Sequence, residues 1–252
     1  MFFQYLERGL VAGLVAGLVF GVFMASVGNP FVVYVDGLAH GGGHAAEAAS
    51  HHHAEPVVSM AVTKVVSVVS SGFWGLLLGA CTFGVAFFFL EPSIPGTGAT
   101  KSYLLAAAGF VTVSGAPWLA LPPAAPGMEQ ALSTGTRLPI YAGMMVAGLI
   151  ASLLAGVAYD RLAEEYGRVV GVLGALVPLA LLPVVAAVLP ANPIHGDVPP
   201  TLVRTFRGFV VFGQAVLWFV LASAHAWLHR RAGDETADVE TGLPDADAAS
   251  AS

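Results

Sequence analysis

Long apolar runs alternate along the chain with short polar or Pro/Gly-rich connections. Six runs predict helices, near 9–28, 66–90, 102–121, 139–158, 169–189 and 207–228. Crossing the hydrocarbon of a bilayer takes about 20 helical residues. That interior offers the backbone no water, so a helix that satisfies its own N–H and C=O groups is the expected spanning structure. The pattern therefore predicts an all-α fold, a polytopic membrane helix bundle of about six transmembrane helices with both chain ends on one side. The first run follows Arg8 as a signal peptide would. It is longer than a signal's apolar core, and Glu7 spoils the basic start, so it reads as a retained span.

Composition agrees. Of 252 residues 56% are apolar and 10% charged, and the mean hydropathy is +0.78. Soluble domains carry about 25% charged residues. The single cysteine, Cys81, excludes an internal disulfide and any multi-cysteine zinc or iron–sulfur motif. The net charge of -6 matches the six acids between Asp234 and Asp247, a stretch without bases. The remainder is nearly balanced, which argues against a nucleic-acid partner. Residues 1–231 thus read as the membrane bundle, with a His-rich loop at 29–62. Residues 232–252 read as an acidic, disordered cytoplasmic tail.

Glycine recurs every fourth residue in the first run, at Gly9, Gly13, Gly17 and Gly21. This places four missing side chains on one helix face, where a second backbone can approach closely. Small-residue seams also occur at Gly75 and Gly79, at Gly143, Ala147, Ala151 and Ala155, and at Gly167, Gly171 and Ala175. Pro178 and Pro183 predict a kink in the fifth helix.

Lysines and arginines set the expected orientation. Arg8, Lys101, Arg161, Arg168, Arg230 and Arg231 fall on the side of the chain ends. Lys64, Arg137, Arg204 and Arg207 fall on the other. Six against four points to cytoplasmic termini in a cell-membrane protein and to a first loop that faces outward.

That loop carries the most unusual chemistry. Residues 40–56 read HGGGHAAEAASHHHAEP, with His40, His44, His51, His52 and His53 alongside Glu47 and Glu55. Imidazole suits zinc, copper, nickel and similar divalent ions. A solvated histidine is mostly neutral near pH 7 and can donate its lone pair. The glycines suggest an adaptable collector that takes up an ion and releases it again. His195 lies on the same side and can join it or merely make a turn contact. On the opposite side His225 and His229, four residues apart, share a helix face. They suit a two-nitrogen metal site or interfacial snorkelling beside Trp227 and Arg230–Arg231. Gln214 and Met144–Met145 lie inside spans and can line a path or simply pack.

Enzymatic readings fare poorly. PGTGATKS at 95–102 imitates a phosphate loop but has Thr100 and Pro95 where glycines are required. The chain therefore offers no ATP site. It contains no HExxH or GxSxG motif and reads as a non-enzyme with no covalently bound cofactor. Without a nucleotide, membrane potential remains as the drive. Moving two charges through 100 mV gains about 4.6 kcal/mol, enough for roughly thousandfold accumulation.

Several stretches resemble the CbtA family of proposed cobalt transporter subunits. They are the Gly-rich first span, the histidine-bearing first loop, and GAPWLALPPAAPGME at 115–129, which is similar to the family's Pro/Gly turn after the third span. LPANPIHGDVPPTLVRTF and the last span ending in WLHRR complete the likeness, which covers most of residues 1–231. The resemblance implies a subunit for uptake of a divalent metal, with Co²⁺ ahead of Ni²⁺ or Zn²⁺ as cargo. It also implies a separate partner like CbtB, a small single-span protein that contains histidine. The alternative is a non-transporting metal-binding or sensor protein that serves another transporter.

Overall fold

A chain this apolar has to satisfy its backbone locally, and it does so almost throughout. The computed structural model describes residues 2–41 and 59–241. Within them six helices are long and apolar enough to cross a membrane: α1 (Phe2–Val35), α2 (Ala61–Ser93), α3 (Ala99–Ala120), α4 (Thr134–Tyr166), α5 (Arg168–Ala187) and α6 (Pro200–Ala232). The chain is a multi-pass membrane protein with its N-terminal helix start and the end of α6 at one end of the bundle. We call this the terminal end, and the opposite one the loop end.

The helices outrun the apolar patterns that predict them. Helix continues beyond α1 to Gly41 and resumes at Met60, so residues 29–41 are not part of a loop. Tertiary packing is the reason, because Val35 is fully buried in a cluster with Ala125, Val198 and Val203 at the loop end. Beyond α6, helix runs on to Thr241, so the first part of the acidic tail is also helical. No proline intervenes before Pro244. The connection between α4 and α5, expected over 159–168, shrinks to Gly167. Its φ of 89° favours glycine, because an L side chain would clash there.

Helices α1 and α2 form the tightest pair. A Cβ on Gly13 would land on the Gly75 carbonyl oxygen and come within 2.9 Å of the Gly79 Cα. Gly9, Gly17 and Gly21 likewise meet backbone atoms of α2. The predicted glycine face is thus a backbone-to-backbone contact. The expected seam on α4 differs, since a Cβ on Gly143 would have nothing within 4 Å, whereas one on Gly148 would abut Ala116 and Thr112. A four-residue spacing specifies a face and says nothing about what lies opposite.

Among the π turns of the described spans are Met24–Gly28 and Val111–Gly115. Each ends on a glycine with a proline two residues later, Pro30 and Pro117. Proline lacks an N–H and crowds the carbonyl one turn back, so a locally widened turn keeps the helix continuous. A third π turn, Ala80–Ala86, has no such proline. In α5 helix is interrupted at Leu181, between Pro178 and Pro183, as the predicted kink requires.

At the loop end, β1 (Glu129–Gln130) pairs antiparallel with β2 (Ile194–His195). Asn192 reinforces the join by donating to Gln130 Oε1 at 2.9 Å and accepting from the Leu132 N–H at 3.0 Å. Between α3 and α4, the Tyr141 hydroxyl donates to the Val113 carbonyl at 2.6 Å. Tyr141→Phe should therefore cost about 1 kcal/mol, read as earlier unfolding in a denaturant titration of the detergent-solubilised protein.

Candidate functional site

Ionisable side chains inside a membrane are costly to hold and commonly mark pathways. One group of them gathers at the terminal end, where α1, α2, α3 and α6 converge. His225 is completely buried. The local sequence supplies its surroundings, since the π turn of α2 and the helix after it direct Phe83 and Phe87 at the imidazole, with centroids 4.4 and 4.7 Å away. Its Nδ1 lies 2.9 Å from Ser102 Oγ on α3. Its Nε2 is buried without a hydrogen-bond partner. When Nδ1 donates to Ser102, that Nε2 presents a bare lone pair.

One helical turn further on, His229 lies with its ring 5.9 Å from that of His225 and tilted by 23°. The Arg8 guanidinium donates from Nη1 to His229 Nδ1 at 3.3 Å. His229 Nε2 faces Glu91 Oε1 at 3.8 Å. The other carboxylate oxygen accepts from the Tyr5 hydroxyl at 2.5 Å, and Lys101 donates to the Glu91 carbonyl at 2.8 Å. The 3.8 Å gap is too long for a hydrogen bond. It suits an ion bound to both atoms at about 2.1 Å each. Among the described residues no three His, Cys, Asp or Glu side chains already converge as a metal-ligand set. The arrangement therefore offers two protein ligands, His229 and Glu91.

A line of polar groups leads towards this cluster. Gln214, Trp218, His225 and His229 share one face of α6, at steps of four, seven and four residues. Gln214 lies 3.5 Å from Ser114 on α3. Trp218 is itself a core residue, packed with Leu221 and Ala222, and its Nε1 is buried without a partner. Gln214 also borders an apolar cavity of about 190 Å³ in the loop-end half, between α1 and α6, lined by Phe20, Phe23, Phe206 and Phe209. Met144, by contrast, is core, packed with Ala116, Ala151 and Leu182.

Among the described residues, the histidines named from sequence separate into three sets. His225 and His229 come together, and complete burial of His225 disfavours snorkelling, one of the two readings of the pair, at that position. His195 is an exposed residue of β2 opposite Glu129, at the loop end. His40 lies in the last turn of the helix that ends at Gly41. His44, His51, His52 and His53, with Glu47 and Glu55, lie outside the described residues. Sequence reasoning missed Tyr5, Arg8, Glu91 and Ser102. The available signal was that Arg8 and Glu91 immediately adjoin apolar runs, where a charge needs a partner.

The family profile described as probable cobalt transporter subunit (CbtA) matches residues 2–230. No curated protein matches significantly, and no solved structure does.

Proposed function

Because the chain belongs to the CbtA family of probable cobalt transporter subunits, we propose that it is the membrane pathway for uptake of a divalent transition metal, with Co²⁺ as the favoured cargo. The observation that carries this reading is the line of polar groups on α6, from Gln214 to the His225–His229–Glu91 cluster. Conduction needs sites that hold an ion well enough to admit it and weakly enough to release it. Two protein ligands, with water completing the shell, meet that requirement.

In this reading the loop end faces outward and the chain ends are cytoplasmic. His40, His44 and His51–His53 collect the ion, with His195 as an additional donor on that face. His225 and His229 pass it inward. A transporter subunit has partner subunits, and a small single-span, histidine-containing protein like CbtB is the proposed one. Ni²⁺ and Zn²⁺ are the competing cargoes, since imidazole binds all three.

The test is reconstitution into vesicles enclosing a cobalt-sensitive dye, with an imposed inside-negative potential. Co²⁺ entry is expected with this chain, alone or beside its single-span partner. Binding without entry under either condition would favour a metal-holding accessory instead. Within the same assay, replacing the five loop histidines with alanine should raise the half-saturating Co²⁺ concentration about tenfold. The maximal rate should be preserved. Unaltered half-saturation would remove the loop from the mechanism.

A further inference from the structure

Arg8 occupies an informative position. Its Nη1 donates to His229 Nδ1 at 3.3 Å, while its guanidinium carbon lies 5.9 Å from the Tyr5 ring centroid. An arginine is always a donor, so His229 Nδ1 has to present its lone pair. In the neutral ring the proton then sits on Nε2, the nitrogen that faces Glu91. A metal ion bridging Nε2 and Glu91 Oε1 requires the opposite tautomer, with the proton on Nδ1. There it would meet an arginine N–H, donor against donor. Charge acts in the same direction, because a dication between His229 and Glu91 would be repelled by a guanidinium on the other side of the same ring.

We propose that Arg8 is a tethered competitor of the cargo, a built-in cation that must leave His229 before a metal ion can bridge His229 and Glu91. This rests on the inner cluster being a metal site, as proposed above. Arg8 has the means to leave. It lies two turns into α1, half-buried, and its long stem can carry the guanidinium towards the aqueous boundary. Lys101 is the other cation beside the carboxylate, but it donates to the Glu91 backbone carbonyl and leaves both carboxylate oxygens to Tyr5 and His229. The device makes release self-assisting, because the returning guanidinium takes back the ring nitrogen as the ion departs.

The experiment is Co²⁺ titration of the purified full-length protein, by calorimetry and by the visible absorption of bound Co²⁺. The parent for all variants carries alanine at the five loop histidines and at His195, so that binding reports on the inner site. Arg8→Gln should tighten Co²⁺ binding by about tenfold or more, since removing a positive charge several Å away outweighs one such step even with strong screening. Arg8→Met, which retains an apolar stem, should behave alike and guards against a folding defect in the first variant. Arg8→Lys should remain close to the parent. If the neutral variants bind no tighter, while His229→Ala and Glu91→Gln lose binding, the competitor role fails and the metal site survives. If His229→Ala and Glu91→Gln bind Co²⁺ as the parent does, the inner site itself fails and the Arg8 role falls with it.

Discussion

Gly13→Ala is expected to destabilise the bundle by about 3 kcal/mol, the upper range for forcing an extra carbon into a close-packed contact. The same substitution at Gly143 is expected to be neutral or to stabilise by up to about 1 kcal/mol, the intrinsic helix preference of alanine over glycine. Both glycines lie inside membrane helices, and both belong to four-residue series of small residues. What separates them is the far side of the contact. The new methyl at position 13 meets the Gly75 carbonyl oxygen and the Gly79 Cα. Those are backbone atoms, and they can yield only if α2 moves as a unit. At position 143 nothing lies within 4 Å. Lipid is as apolar as leucine, so close backbone packing supplies much of helix association in a membrane, and a shift of α1 against α2 forfeits it along the whole seam. Equilibrium unfolding in mixed detergent micelles measures both variants. Equal stabilities would show that the glycine seam is not what holds the pair.

The second large effect concerns His225. His225→Phe should retain or raise stability while lowering Co²⁺ uptake by about 10–100-fold, the range seen when residues that support a metal's ligands are removed. Phenylalanine keeps a flat ring, somewhat larger than imidazole, between Phe83 and Phe87, and it removes a buried nitrogen that has no partner. Replacing buried polar groups with apolar ones of like shape is commonly neutral or favourable. The Ser102 hydroxyl, released from Nδ1, can turn back to a carbonyl of its own helix. A residue whose removal helps folding and harms transport is held for its chemistry. Thermal melting alongside vesicle uptake separates the two effects. A variant that transports normally would place His225 among ordinary packing residues.

The fold is legible in the sequence because its cause is local. Six apolar runs in a medium without water leave little besides helix, and the glycine spacing of α1 identifies its contact face. Two features are not legible. The π turns break the 3.6-residue period over only a few positions, too few for a periodicity to register. The helical extensions to Gly41 and Thr241 exceed what hydropathy marks, and the first depends on Val35 meeting residues far along the chain. The inner cluster is half legible. The four-residue step from His225 to His229 places both on one face, but Tyr5, Arg8 and Glu91 reach them from helices distant in sequence. Hydropathy makes Arg8 a flanking charge of a span that begins at residue 9, whereas helix begins at Phe2. Its role in the cluster follows from that earlier start.

The polar cluster draws its members from α1, α2, α3 and α6, and none from α4 or α5. Those two helices turn back on each other at Gly167 and meet the rest chiefly through α3 and the π turn within it. The molecule is accordingly a four-helix trunk bearing a two-helix wing. A displacement of the wing would rearrange one flank of α3 around Ala116 and Met144 and leave Arg8, Glu91, His225 and His229, which all belong to the trunk, in register.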